Sequence, residues 1–254
     1  MLSYQHAYHA GNPADVHKHF VLAELLRLLT KKDRGISYLE THAGRGLYDL
    51  TSDEASKTGE AEEGIARLSP PQDAAISEAL AAIHRDYGAT AYPGSPMVAA
   101  NLLRPQDRLV LMERHPQEAP ALKKNMRGTI AEVHARDGYE GALALAPMEP
   151  RRGLILIDPS YEVKTEYAQA GTLAKKLHTR WPEAAIMVWY PLLAAGRHTD
   201  ILSAMEATIV DEVTFDLKGG KGMTGSGLAF LGAPYGTEDA IAAAFGAAQP
   251  ILHK

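Results

Sequence analysis

The sequence predicts an α/β fold: a mostly parallel sheet with helices on both faces, an antiparallel edge strand and a small helical insertion. Short apolar runs rich in branched residues alternate with helical stretches through the middle of the chain, the pattern of a parallel sheet with crossover helices. The first run is followed by closely spaced glycines, which suit a strand that turns sharply into a helix. Near the end two strand-like runs flank a glycine-rich stretch, which reads as a hairpin connection and hence an antiparallel edge.

Asn12-Pro13 starts a helix, because a capping side chain precedes a proline at the first helical position. That helix is expected to run to about Lys32, with His19, Leu22, Leu26 and Leu29 sharing its inward face. Ile36-Ser37-Tyr38-Leu39-Glu40 reads as the first strand and Thr41-His42-Ala43-Gly44-Arg45-Gly46 as its turn. Between Leu47 and Pro96, Glu60 to Leu68 and Asp73 to Tyr87 carry helical patterns without a convincing strand. Residues 50–95 are therefore expected to form a helical insertion inside a single domain of residues 1–254. Further strands are expected at Arg108 to Glu113, Thr129 to Ala135, Gly153 to Ile157 and Ala185 to Trp189. Helices should separate and follow them at Gln117 to Met126, Tyr139 to Ala146, Glu166 to Arg180 and Thr199 to Ala207. The closing runs are Ile209 to Leu217 and Ser226 to Leu231, on either side of Gly219 to Gly225.

Composition narrows the class. The chain of 254 residues is large enough for a sizeable core, and its apolar stretches fall well short of a membrane span. The first residues carry neither the basic region nor the apolar core of a signal peptide, and there is no cysteine. A cytoplasmic protein without membrane contact is expected. A formal charge of −5 argues against broad electrostatic binding of nucleic acid but leaves room for a small RNA footprint. His6, His9, His17, His19 and His42 crowd the first 42 residues. His17 and His19 with nearby carboxylates lack a convincing third ligand, so no metal is expected.

The chemistry-bearing residues stand at strand ends. After the first strand the register is Glu40, His42, Gly44, Gly46, so a histidine takes the place of the first glycine of a dinucleotide signature. The second strand ends in Glu113, which can accept hydrogen bonds from both hydroxyls of a ribose. Asp137-Gly138 follows the third strand and can meet an adenine amine. Asp158-Pro159-Ser160-Tyr161 follows the fourth. Taken singly, each acid fits a helix cap or a surface charge; their order is the informative part. A nicotinamide cofactor needs all three glycines for its pyrophosphate, whereas S-adenosylmethionine has no phosphate and tolerates the histidine. The last tetrapeptide suits methyl transfer to an exocyclic base amine. Asp158 and the Pro159 carbonyl can accept its hydrogens and localise its lone pair, Tyr161 can stack on the base, and Asp158 can take the released proton.

Tyr4-x-His6, His9-Ala10-Gly11-Asn12-x-Ala14-Asp15-Val16-x-Lys18-His19, Thr41-His42-Ala43-Gly44-x-Gly46, Tyr92-Pro93-Gly94-Ser95-Pro96, Arg151 to Pro159 and Gly222-Met223-Thr224-x-Ser226-Gly227 span nearly the whole chain. In these blocks the sequence resembles the ribosomal RNA large subunit methyltransferase J family, which methylates N6 of an adenine in 23S rRNA. The resemblance implies a Rossmann-like, class I S-adenosylmethionine-dependent methyltransferase fold. It also implies a monomer without a stable protein partner, acting on largely protein-free rRNA. It would place His19, His42, Gly44, Ser95, Glu113, Asp137 and Gly138 at S-adenosylmethionine. Asp158, Pro159 and Tyr161 would be catalytic, and Tyr4, His6 and Lys18 would serve the target nucleotide. The family pattern has a second proline where this chain has Ser160, which leaves the loop less rigid. Two other readings stay open: a DNA adenine-N6 methyltransferase, and a catalytically weak scaffold that binds cofactor or RNA.

Overall fold

The computed structural model describes residues 5–217 and 222–254. Tyr4 and part of the Gly219 to Gly225 connection lie outside the described residues. After a short turn at His6–Tyr8 comes helix α1 (Pro13–Thr30), whose cap Asn12 accepts the Asp15 N–H at 2.9 Å. Only Arg27, Leu28 and Thr30 of α1 escape burial. A helix buried on all sides must supply partners for its own polar residues, and α1 carries Asp15, His17, Lys18 and His19 into the interior.

Strand β1 (Ser37–Glu40) follows, then β2 (Leu47–Asp49), α2 (Asp53–Thr58), α3 (Ala75–Tyr87), β3 (Ala91–Pro93) and α4 (Ser95–Leu102). The βα alternation continues with β4 (Arg108–Met112), α5 (Glu118–Asn125), β5 (Ala131–His134), α6 (Gly138–Leu145), β6 (Gly153–Ile157) and α7 (Glu166–Arg180). The chain ends with β7 (Ala184–Leu193), α8 (His198–Met205), β8 (Ile209–Thr214), β9 (Met223–Leu231) and α9 (Thr237–Ala248).

The sheet order is β5-β4-β1-β6-β7-β9-β8. The first five of these strands are parallel, while β9 runs against both β7 and β8, so the reversed strand lies one place in from the edge. β1 stands where the strand order reverses, with Glu40 level with Leu111 of β4 and Leu156 of β6. Ligands bind such sheets outside the carboxyl ends of the strands at this switch point. Leu22, Leu26 and Leu29 of α1 join α3, α4 and α9 in packing one face of the sheet, and Tyr167, Leu173 and Leu177 of α7 pack the other. Each fully buried leucine stabilises the fold by about 1.5–3 kcal/mol.

Two expectations need correction. The stretch from Leu47 to Pro96 contains strands after all: β2 and β3 pair antiparallel, Tyr48 facing Tyr92. Three-residue strands whose partners lie over 40 residues apart show no readable periodicity. Glu60 to Leu68 is no continuous helix but two 3-10 turns, Glu60–Glu62 and Ile65–Arg67, interrupted at Gly64. A Cβ on Gly64 would lie 2.1 Å from the Gly11 carbonyl oxygen, so this turn packs backbone to backbone against the segment before α1.

Candidate active site

The carboxyl ends of β1, β4, β6 and β7 open onto one cavity of about 470 Å³, a size suited to a nucleoside-sized ligand. Every described residue expected at the site lines it, from His6 and Lys18 to Asp158 and Tyr161. At one end the turn after β1 carries Gly44 with φ +58° and Gly46 with φ +74°, conformations that favour glycine. Glu113 accepts the Gly44 N–H at 2.8 Å and the His115 N–H at 2.7 Å. Burial nevertheless raises its carboxyl above the usual range. Asp137 caps α6, accepting the N–H groups of Tyr139 and Glu140, and also meets Arg114 at 3.0 Å. Beside it a Cβ on Gly138 would fall 1.9 Å from the Thr41 carbonyl oxygen, so α6 starts in direct contact with the β1 turn. His42 lies edge-on to Tyr139, and burial lowers its pKa to about 4, leaving it neutral. The Tyr139 hydroxyl is buried without a hydrogen-bond partner among the described residues. Such an orphan in the cavity wall, with backbone approach made possible by the glycines, fits a nucleoside-bearing cofactor such as S-adenosylmethionine.

At the other end β6 delivers Asp158, whose Oδ2 lies 2.6 Å from Lys18 Nζ. Lys18 also meets Asp15 Oδ1 at 3.2 Å and lies 5.4 Å from the centre of the Trp189 ring. Asp15 in turn accepts from the Gly11 N–H at 3.0 Å and contacts His6 at 2.8 Å. Burial alone would raise the Asp15 carboxyl, but His6, Lys18 and His19 outweigh it and hold it well below the usual range. Tyr161 occupies the left-handed region at φ +56°, a strain of roughly 1–3 kcal/mol for a non-glycine residue. It is held there by its hydroxyl, which donates to the Trp189 carbonyl at 2.5 Å, and by the Tyr167 ring at 4.5 Å.

His19 and Ser95 also line the cavity but are engaged by protein groups. His19 bonds the Tyr92 hydroxyl at 2.9 Å, and burial lowers its pKa to about 3. Ser95 donates to Glu40, which also accepts from the Tyr38 hydroxyl at 2.9 Å. Burial pushes the Glu40 carboxyl up to about 8. Asp15, Glu40 and Trp189 are the residues that sequence reasoning left out. For Asp15 a signal existed: it precedes Lys18 and His19 by three and four positions on one helical face.

The amino-terminal segment is fastened by the excursion between β1 and β4. Glu60 bonds His9 Nδ1 and Asn12 Nδ2, each at 2.9 Å, while the Ile65 N–H donates to the Gly11 carbonyl at 2.9 Å. The Thr58 hydroxyl donates to the Tyr8 carbonyl.

A mostly parallel sheet of this order, with glycines after β1, Glu113 after β4 and Asp158-Pro159-Ser160-Tyr161 after β6, is a Rossmann-like arrangement, and the family match makes it that of a methyltransferase. The chain belongs to the family described as Ribosomal RNA large subunit methyltransferase D, RlmJ, whose model matches residues 33–251. It is 38% identical over 253 residues to Ribosomal RNA large subunit methyltransferase J of Haemophilus influenzae, covering 94% of this chain and 89% of that protein. The protein of the same name from Escherichia coli (strain K12) is 37% identical over 250 residues, with the same coverage of both chains. Among solved structures, protein LPL1258 from Legionella pneumophila superposes with a TM-score of 0.83 at 36% identity, over 95% of each chain.

Proposed function

We infer that this chain transfers the methyl group of S-adenosylmethionine to N6 of an adenine in 23S rRNA, acting as a cytoplasmic monomer. The observation that carries this reading is the position of Asp158, held by Lys18 in the same cavity as Glu113 and the Gly138 cradle. Family membership supports the choice of large-subunit rRNA.

S-adenosylmethionine supplies an electrophilic methyl on a positively charged sulfur. Glu113 would accept from the ribose hydroxyls, Asp137 and Gly138 would border the adenine, and His19, His42, Gly44 and Ser95 would complete the wall. A neutral His42 adds no charge to oppose a cationic ligand. Lys18 engages Asp158 Oδ2, and Oδ1 would take the target amine. Asp158 Oδ1 and the Pro159 carbonyl would accept the two N6 hydrogens, localising the nitrogen lone pair. After transfer the surplus N6 proton would pass to Asp158. Tyr161, locked by Trp189 and Tyr167, would offer an aromatic surface to the base, and His6 at the cavity wall would serve the target nucleotide, a role the family resemblance also gives Tyr4.

The test is methyl transfer from isotopically labelled S-adenosylmethionine to protein-free 23S rRNA, with the product mapped by mass spectrometry. N6-methyladenine at one position is expected. Preference for duplex DNA, or cofactor binding with no transfer to either, would overturn the reading.

A further inference from the structure

Behind the cavity lies a buried polar chain that the mechanism above does not use. Trp189 Nε1 lies 2.8 Å from Ser226 Oγ, Ser226 Oγ lies 2.9 Å from His17 Nδ1, and His17 Nε2 lies 2.9 Å from Asp211 Oδ2. His17, Ser226 and Asp211 are all buried, on α1, β9 and β8 respectively. The proton order follows from chemistry. The indole N–H can only donate, so Ser226 accepts from Trp189. The Asp211 carboxylate can only accept, so it takes the His17 Nε2 proton. A neutral His17 then has Nδ1 free of hydrogen to accept from the Ser226 hydroxyl. Burial lowers the His17 pKa, in keeping with this order. The Asp211 charge is met at its other oxygen by Lys254.

The chain ends at a ring that does three things. Trp189 lines the cavity, its carbonyl holds the Tyr161 hydroxyl, and its face lies against the Lys18 ammonium. Four satisfied groups in a row are costly to bury unless their geometry matters, and this row fixes the rotation of one indole. Resting on the function proposed above, we propose that Trp189 is a positioning residue that holds Lys18 against Asp158, and that Ser226, His17 and Asp211 lock it in place.

The experiment uses the full-length protein and two readouts. In a nitrogen–proton NMR spectrum the Trp189 indole resonance, assigned by its loss in Trp189→Phe, should move upfield in Ser226→Ala and exchange faster with water. Under saturating substrates Ser226→Ala should lower kcat about tenfold with S-adenosylmethionine affinity unchanged. In a Lys18→Met background the same substitution should cost less than twofold, because its effect runs through Lys18. Multiplicative losses in the double variant would overturn the proposal, as would a displaced indole resonance with undiminished kcat. If Ser226→Ala does not fold, Trp189→Phe takes its place in the kinetic cycle, since it keeps an aromatic ring, though a smaller one, and removes the donor. Absence of methyl transfer by the wild-type protein would instead count against the proposed function, while the NMR readout is independent of it.

Discussion

Glu113, at the end of β4, accepts the backbone N–H of Gly44 at 2.8 Å and so ties the second strand of the switch point to the turn after the first. The same carboxylate is the proposed ribose acceptor, so Glu113→Ala should weaken S-adenosylmethionine binding at least tenfold. Loss of one hydrogen bond to a charged group costs roughly 1.5–3 kcal/mol. Calorimetric titration is the measurement; undiminished affinity would remove Glu113 from the cofactor site.

Asp158→Asn keeps the size of the side chain but replaces its anionic oxygens with an amide. Cofactor affinity should stay within about threefold while turnover falls by roughly 10²-fold or more. Single-turnover methyl transfer separates the two quantities, and an unchanged rate would exclude Asp158 as the proton acceptor.

Lys18 is buried between Asp15 and Asp158, so its ammonium is not among the groups that displace counterions from RNA. Lys18→Met should therefore lower turnover yet leave the salt dependence of RNA binding unchanged. A shallower slope of binding against salt, measured by filter binding, would show instead that Lys18 reaches a phosphate.

Glu40 gives the protein a pH signature. Its folded-state pKa of about 8 lies above the ordinary carboxylate value, so the folded chain binds a proton that the unfolded chain has released. That contribution is fully present below about pH 4.5 and is lost as pH rises through about 8. Glu40→Gln should flatten this decline in urea unfolding between roughly pH 5 and pH 9. Parallel curves for the two proteins would mean that Glu40 stays ionised.

Gly138→Ala tests the cradle. The new methyl would fall 1.9 Å from the Thr41 carbonyl oxygen, which is backbone and has little freedom to move. Overpacking of this kind costs about 1–3 kcal/mol, so both melting temperature and cofactor affinity should drop. An alanine variant with wild-type values for both would contradict the close approach.

The sequence made the sheet legible where burial is complete. β4 and β6 are apolar runs whose bounds match expectation to within a residue, whereas β7 starts as expected but continues to Leu193, four residues past the expected end at Trp189, because its far half pairs with β9. β2 and β3 escaped because their pairing is a long-range event between three-residue pieces. α9 was not anticipated: its alanine-rich run has a weakly defined apolar stripe, and it becomes a core helix only through contact with α1. At the site, Glu113, Gly138 and Asp158 were legible because chemistry placed at strand ends has a recognisable order. Asp15 and Glu40 were not, because one looks like a first-turn acid and the other like a strand tail. Only the tertiary structure shows them buried among histidine, lysine and tyrosine side chains.

The hold that Glu60, Thr58 and Ile65 keep on residues 8–12 has a practical consequence for anyone altering this protein. Glu60 itself lines the cavity, but Thr58 and Ile65 do not, and changes at these two should still loosen the arm that carries His6 toward it. Damage there should masquerade as poor recognition of RNA in a protein that still melts and takes up its methyl donor normally. A loop that invites trimming for expression or crystallisation is thus the one to leave alone.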